Sequence, residues 1–257
     1  MKKIQLFTLL WSLAGIAFFG MGINGSGTTK AVQVEALYSP RFDFTPPEQA
    51  AQKTDLTLAM VNPAFAENFK LASISPFSDF SSSMANDFEE MLIARGYNLR
   101  GPFSSRDDMV FQDKQNSELI FDVSIDLTFE DRLNSKPQYS AYNNAFLYNS
   151  VTGEVVIGGK LNMTLSEPFS AEKIWKKSVL IEPRTINCQG VYKYGSNPSL
   201  AEALSKDPGI RNPIAKFLQE EYKRCLQLAW GHLDPMELTP LKQQVKAIRE
   251  KVNYNSR

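Results

Sequence analysis

Two cysteines, one histidine and scattered carboxylates are what this chain of 257 residues offers to conventional catalysis. His232 falls in a Gly231-His232-Leu233-Asp234-Pro235 turn between two expected helices. General-base work would need a nucleophile and an orienting partner, and the sequence implies neither beside it. Cys188 and Cys225 with a single distant His are too few for a metal site. Asp107 and Asp108 form a carboxylate pair, but in the first turn of a short helix expected from Arg106 they answer to the helix dipole. Asp122 and Asp126 fall on the polar face of a strand, where solvation suffices. Gly158-Gly159 reads as a strand break rather than a phosphate loop, since no helix opens after it. Glu220 and Glu221 belong to a solvated helix face. The expectation is a protein without catalytic residues, cofactor or metal ligands, hence not an enzyme.

One stretch has the chemistry of a binding surface. Residues 134–150 (NSKPQYSAYNNAFLYNS) gather Tyr139, Tyr142, Phe146 and Tyr148 with Asn134, Asn143, Asn144 and Asn149. Flat rings beside amide donors suit carbohydrate and protein surfaces alike. Tyr139, Tyr142, Asn143, Asn144 and Tyr148 are the candidate ligand-binding residues. The alternative is a long hairpin with an aromatic edge. The stretch exceeds what a tight turn between strands requires, and such excess is often functional or disordered. Its rings speak against disorder.

The N-terminus speaks to location. Lys2 and Lys3 precede an uncharged apolar run over residues 4–23, and small residues follow at Gly25, Ser26, Gly27 and Ala31. That order reads as an export signal over residues 1–27, cut after Gly27 or Ala31. A retained anchor is the other reading, because some 20 uncharged residues can just span a bilayer. The first cysteine is Cys188, so no lipid-accepting Cys follows the run. In an oxidising compartment two thiols in one chain tend to pair. A Cys188–Cys225 disulfide would stabilise by roughly 3–4 kcal/mol in the chain-entropy model. Two unrelated buried thiols are the alternative.

The elements that must position these residues follow from pattern. Residues 28–55 read as an irregular arm broken by Pro40, Pro46 and Pro47. Residues 56–61 make a short apolar strand closed by Asn62-Pro63. Met84, Phe88, Met91 and Leu92 give a helix over residues 79–94, with N-caps among Ser81 to Ser83 and Gly96 just past its end. A second strand starts at Tyr97. Residues 118–129 alternate from Phe121 through Val123, Ile125 and Leu127 to Phe129, which predicts a half-buried strand. Residues 154–157, 160–166 and 174–181 read as antiparallel strands, and 183–211 as a long loop with a short helix at 199–205. Asn212-Pro213 and Thr239-Pro240 open two C-terminal helices, over 212–231 and 240–253. The class is α/β (α+β): residues 56–257 as a single domain with a mixed β-sheet, flanking helices and a C-terminal helical pair. Hydrophobic residues make up 43% of the chain, enough for a core, and 28 basic residues balance 28 acidic ones. That balance excludes a general basic field for nucleic acid or anionic lipid, and leaves membrane contact to the N-terminal segment alone.

Short motifs in order add a resemblance: Asn62-Pro63-Ala64-Phe65, Glu89-Glu90-Met91-Leu92 leading to Arg95-Gly96-Tyr97, Ser104-Ser105-Arg106-Asp107-Asp108, the strand around Asp126, and Leu165-Ser166-Glu167-Pro168. In order and spacing the chain resembles the neuraminyllactose-binding haemagglutinin family, envelope lipoproteins linked to adhesion and to the flagellar sheath. The likeness spans about residues 35–257, and Val245-Lys246-Ala247-Ile248-Arg249-Glu250 shares it. It implies an exported protein of a Gram-negative periplasm, outer membrane or cell surface, with envelope or flagellar proteins, or a host or surface glycan, as partners; the alternative is a structural component of an outer-membrane or flagellar surface assembly that binds no glycan. Two departures stand out. The lipid-accepting Cys is missing, and where the family has a Lys/Arg-rich run linked to sialic acid, Asp131 to Lys136 here carries only Arg132 and Lys136. The resemblance therefore carries fold and setting but not sialic-acid binding.

Overall fold

The computed structural model describes residues 35–192 and 198–255, and side chains up to residue 251. The export signal or anchor expected over residues 1–27 lies outside these residues. Glu35 to Arg257 form one compact unit.

The chain runs β1 (Thr57–Val61), β2 (Ala64–Phe65), α1 (Phe77–Ala94), β3 (Asn98–Phe103), α2 (Phe111–Gln115), β4 (Leu119–Tyr139), β5 (Phe146–Ser166), β6 (Lys173–Tyr192), α3 (Leu200–Lys206), α4 (Pro208–His232), α5 (Pro235–Leu238) and α6 (Leu241–Asn255). Six strands form one mixed sheet in the order β3-β1-β4-β5-β6, with β2 beside β4. β1 pairs parallel with both β3 and β4, whereas β4-β5 and β5-β6 are antiparallel. The α/β class with a mixed sheet and flanking helices is thus the observed one.

The sheet's two faces differ. One is packed by α1, α4 and the C-terminal helices around Phe77, Phe80, Met84, Phe88, Phe121, Leu161, Leu218 and Tyr222. The other carries only a small cluster of Ala59, Val61, Met109 and Ile120, with Phe103 against it. The long antiparallel strands explain the alternation of β4. Phe121, Val123, Ile125 and Leu127 are buried, while Asp122 between them is exposed and Ser124 and Asp126 are half-buried.

Several boundaries differ from the sequence expectation, each for a physical reason. α1 opens two residues early because Phe77 and Phe80 extend its buried stripe. Ser81 and Ser82 therefore lie inside the helix, their hydroxyls donating to the carbonyls of Ser78 and Asp79. Gly96 does close the helix end, at φ +85, with its N–H on Ile93 O. No helix starts at Arg106. Asp108 instead closes a turn with Ser105, whose hydroxyl donates to it at 2.9 Å. The expected strands 154–157 and 160–166 are one strand of 21 residues, with Gly158-Gly159 inside it. The residues following Pro183 are not loop but the second half of β6, which runs to Tyr192.

α4 starts at Pro208, capped by Asp207, whose side chain accepts from Gly209 N at 2.8 Å. Its first turn lies flat on β6: a Cβ on Gly209 would sit 1.7 Å from Gln189 O, so only glycine permits the approach. The arm, irregular from Glu35 onward, is pinned to α4. Tyr38 N donates to Asn212 Oδ1 at 2.7 Å, Tyr38 OH bonds Gln219 at 2.9 Å, and Phe42 meets Phe80 edge to face and Tyr222 at a tilt.

Candidate functional site

The segment 134–150 is neither loop nor disorder. β4 and β5 continue through it as paired strands, and only residues 140–145 form the turn. The turn is closed by Ser140 N donating to Ala145 O (2.8 Å) and Asn144 N donating to Ser140 O (3.0 Å). Asn144 takes φ +53, the left-handed conformation that Asn tolerates better than most residues. Among the described residues the pairing of β6 ends at Asn149–Tyr192, so beyond that rung the hairpin has two paired strands.

The tip is strongly exposed and aromatic. Tyr142 is fully exposed, Tyr139 is 56% exposed and Leu147 51%. Tyr139 and Phe146 meet edge to face, their ring centroids 6.0 Å apart. The five predicted site residues nonetheless do not form one platform. Tyr139 pairs with Phe146 and Tyr148 with Gln138, so the register puts Tyr139 and Tyr148 on opposite faces of the hairpin. Asn143 Oδ1 accepts from Ala145 N at 3.1 Å and Ser140 Oγ from Tyr142 N at 3.2 Å, so these polar atoms hold the turn itself. The tip thus presents rings and apolar surface outward with the exposed Asn143 and Asn144 among them.

Below the tip an open cleft of about 1070 Å³ is lined by Arg132, Asn134, Thr152, Glu154, Gln189 and Lys216, among others. The stretch equivalent to the basic run therefore lies in a strand beside this cleft. Arg132 makes two hydrogen bonds to Glu130, at 2.9 and 2.8 Å. This bond holds the Glu130 carboxyl below its ordinary value and the guanidinium above its own. Arg132 is thus already partnered in the free protein.

The expected Cys188–Cys225 disulfide is not formed: both thiols are free and buried. Cys188 Sγ contacts Ile210 O at 3.9 Å, at the start of α4. Cys225 lies fifteen residues further along that helix, about 22 Å at 1.5 Å per residue. A disulfide needs Cα atoms within roughly 7 Å. Burial raises the Cys188 thiol to about 11, helped by Asp131 and Asp207, and burial raises Cys225 to about 12. Such thiols stay protonated near neutrality and are poor nucleophiles. His232 is the last residue of α4. Among the described residues no group of three His, Cys, Asp or Glu side chains could hold a metal ion, and no helix is long and apolar enough to cross a membrane.

Four carboxylates are buried: Asp87, Glu167, Asp207 and Glu221, the last expected on a solvated helix face but paired with Arg224 at 2.6 Å. Asp87, on α1, accepts from Tyr222 OH at 2.5 Å in the core. Burial raises its pKa, against the lowering pull of Tyr222 and of the Phe44 backbone. Its signal was present: Asp87 falls on the same helical stripe as Met84 and Met91. Glu167, in the β5–β6 turn, receives Phe169 N (2.7 Å), Ser170 N (2.6 Å) and Arg249 Nε (2.9 Å). Burial pushes its carboxyl up, but these donors outweigh burial and leave it below its ordinary value. Nothing local in sequence links Glu167 to Arg249, 82 residues away.

No family model matches the chain, and no curated protein matches it in sequence. One solved structure shares its fold. A neuraminyllactose-binding hemagglutinin homolog from Helicobacter pylori superposes over 79% of this chain and 98% of its own, with a TM-score of 0.54 at 13% identity. A lipoprotein from Neisseria meningitidis covers 56% of this chain and 84% of its own, at TM-score 0.25 and 12% identity. A minor lipoprotein from Acinetobacter baumannii covers 72% and 95%, at TM-score 0.25 and 11% identity. At those scores the last two carry no argument. The first agrees, at the level of fold, with the resemblance read from the ordered motifs.

Proposed function

We propose that this is a non-enzymatic, exported protein of a bacterial cell envelope, working through protein contacts made at the tip of the β4–β5 hairpin. The observation that carries this reading is the tip itself, where Tyr139, Tyr142 and Leu147 are exposed at the end of the β4–β5 ladder. Aromatic rings are enriched at protein interfaces. The order of charge, apolar run and small residues over positions 1–27 supports export. The fold shared with the hemagglutinin homolog supports the envelope setting.

Glycan binding through the same tip is the second reading. The tip's geometry favours protein contact over it, because Tyr139 and Tyr148 face opposite ways and Asn143 and Ser140 satisfy the turn. The test replaces residues 139–147 by Asn-Gly, which joins the paired Gln138 and Tyr148 as a two-residue hairpin. The exchanged protein should keep its fold and lose its association with the native envelope fraction. An unchanged association would refute the proposal. Glycan-array signals that vanish on Tyr142→Ala would refute it in favour of an adhesin.

A further inference from the structure

The sheet face that the helices leave open holds a second, chemically different cavity. It measures about 340 Å³, within the range of small-ligand sites. Its floor is sheet. Asp122 and Ser124 on β4 stand opposite Thr164 and Asn162 on β5, and β5 presents Thr164 and Ser166 opposite Lys176 and Lys173 on β6. Its rim is positive, built from Arg106, Lys173 and Lys176.

The charges of that rim are unbalanced. The other lysines of β5 and β6 have partners: Lys160 pairs with Asp126 at 3.5 Å and Lys177 with Glu237 at 3.0 Å. Among the described residues, Arg106, Lys173 and Lys176 form no ion pair within 4.0 Å, and a single lining carboxylate, Asp122, faces the three of them. Arg106 is nevertheless held in place. Its Nη2 donates to the carbonyl oxygens of Glu167 (3.0 Å) and Pro168 (2.5 Å). A guanidinium fixed by neutral carbonyls keeps its charge available to a ligand. The turn that supplies those carbonyls is itself strained, with Ala171, a lining residue, at φ +62. Strain of this kind in a non-glycine residue is concentrated at ligand-binding sites.

We infer that this cavity binds a small hydroxylated molecule bearing one phosphate monoester or carboxylate. The anionic group lies between Arg106, Lys173 and Lys176, and the hydroxyls meet Ser124, Asn162 and Thr164. The site is separate from the hairpin tip: Ser124 and Tyr139 lie on one strand, separated by roughly 50 Å of extended chain.

Titration calorimetry of the full chain tests this with glucose 6-phosphate, glucuronate and glucose as probes. At least one anionic probe should bind with a Kd below about 10 mM, and glucose should bind more weakly by about tenfold or more. Which anion binds tells phosphate from carboxylate. Lys173→Gln with Lys176→Gln should weaken binding by about tenfold or more, while Lys160→Gln on the same face should change it by less than about twofold. All three side chains are solvent-facing, so these variants fold. Failure of both anionic probes, equal binding of glucose, or an equal loss in Lys160→Gln would overturn the assignment.

Discussion

The two halves of β4 obey different physics within one strand. From Leu119 to Leu127 every second side chain is packed beneath the helices. From Glu130 to Gln138 the same ladder continues, rung for rung with β5, although most side chains are exposed. The first half is held by burial and the second by backbone pairing and cross-strand contacts. Strand persistence is therefore no guide to where the core is. A ladder extended past its core instead delivers a surface to a distance.

That contrast predicts the largest difference in mutational cost. Phe121→Ala removes a fully buried ring packed on Phe88 at 5.4 Å, and should cost about 3–5 kcal/mol in denaturant unfolding. Tyr139→Ala, on the same face of the same strand, should stay within about 0.5 kcal/mol. Comparable costs would mean the distal ribbon is core.

The buried carboxylates sharpen the comparison next. Tyr222→Phe leaves Asp87 buried without its hydroxyl donor and should cost about 1–3 kcal/mol. Asp87 and Glu167 should also pull stability in opposite directions with pH. The Asp87 pKa is raised in the fold from 3.8, so its contribution is present at low pH and is lost as pH rises through its folded value. Glu167 is lowered from 4.5, so its contribution is present above that value and is lost as pH falls through the folded one. Asp87→Asn should flatten a decline of stability with rising pH. Glu167→Gln should flatten a decline with falling pH. Stability measured against pH from 3 to 7 checks both signs.

A smaller effect concerns the thiols. Labelling of the unreduced protein after unfolding should find both Cys188 and Cys225, and reductant should leave the thermal midpoint unchanged. A single labelled thiol, or none, would contradict the fold's placement of the pair at distant points of α4 and β6.

Much of this was legible in the sequence where one local pattern decided the outcome. The apolar stripe of α1, the glycine at its end, and the alternation from Phe121 to Leu127 each state their own structure. The distal ribbon was not legible. Asp131, Asn134, Ser135, Lys136 and Pro137 carry no apolar alternation, because on this strand that stretch is at most half-buried, at Leu133, Ser135 and Gln138. β6 beyond Pro183 was hidden for a related reason: its buried positions change parity where the register shifts opposite Ile157 and Gly159, so a single period-2 pattern cannot run through it. The candidate rings were found, since composition marks them. Their division between two faces was not, since it depends on the irregular register at Gln138 and Tyr139.

The central claim is that the tip meets a protein partner. A photo-crosslinking amino acid at position 142, compared with one at exposed Leu180 on β6, tests it most directly in intact cells. The account predicts a discrete protein adduct from position 142 that is absent from position 180. Equal, diffuse labelling from both positions would contradict it.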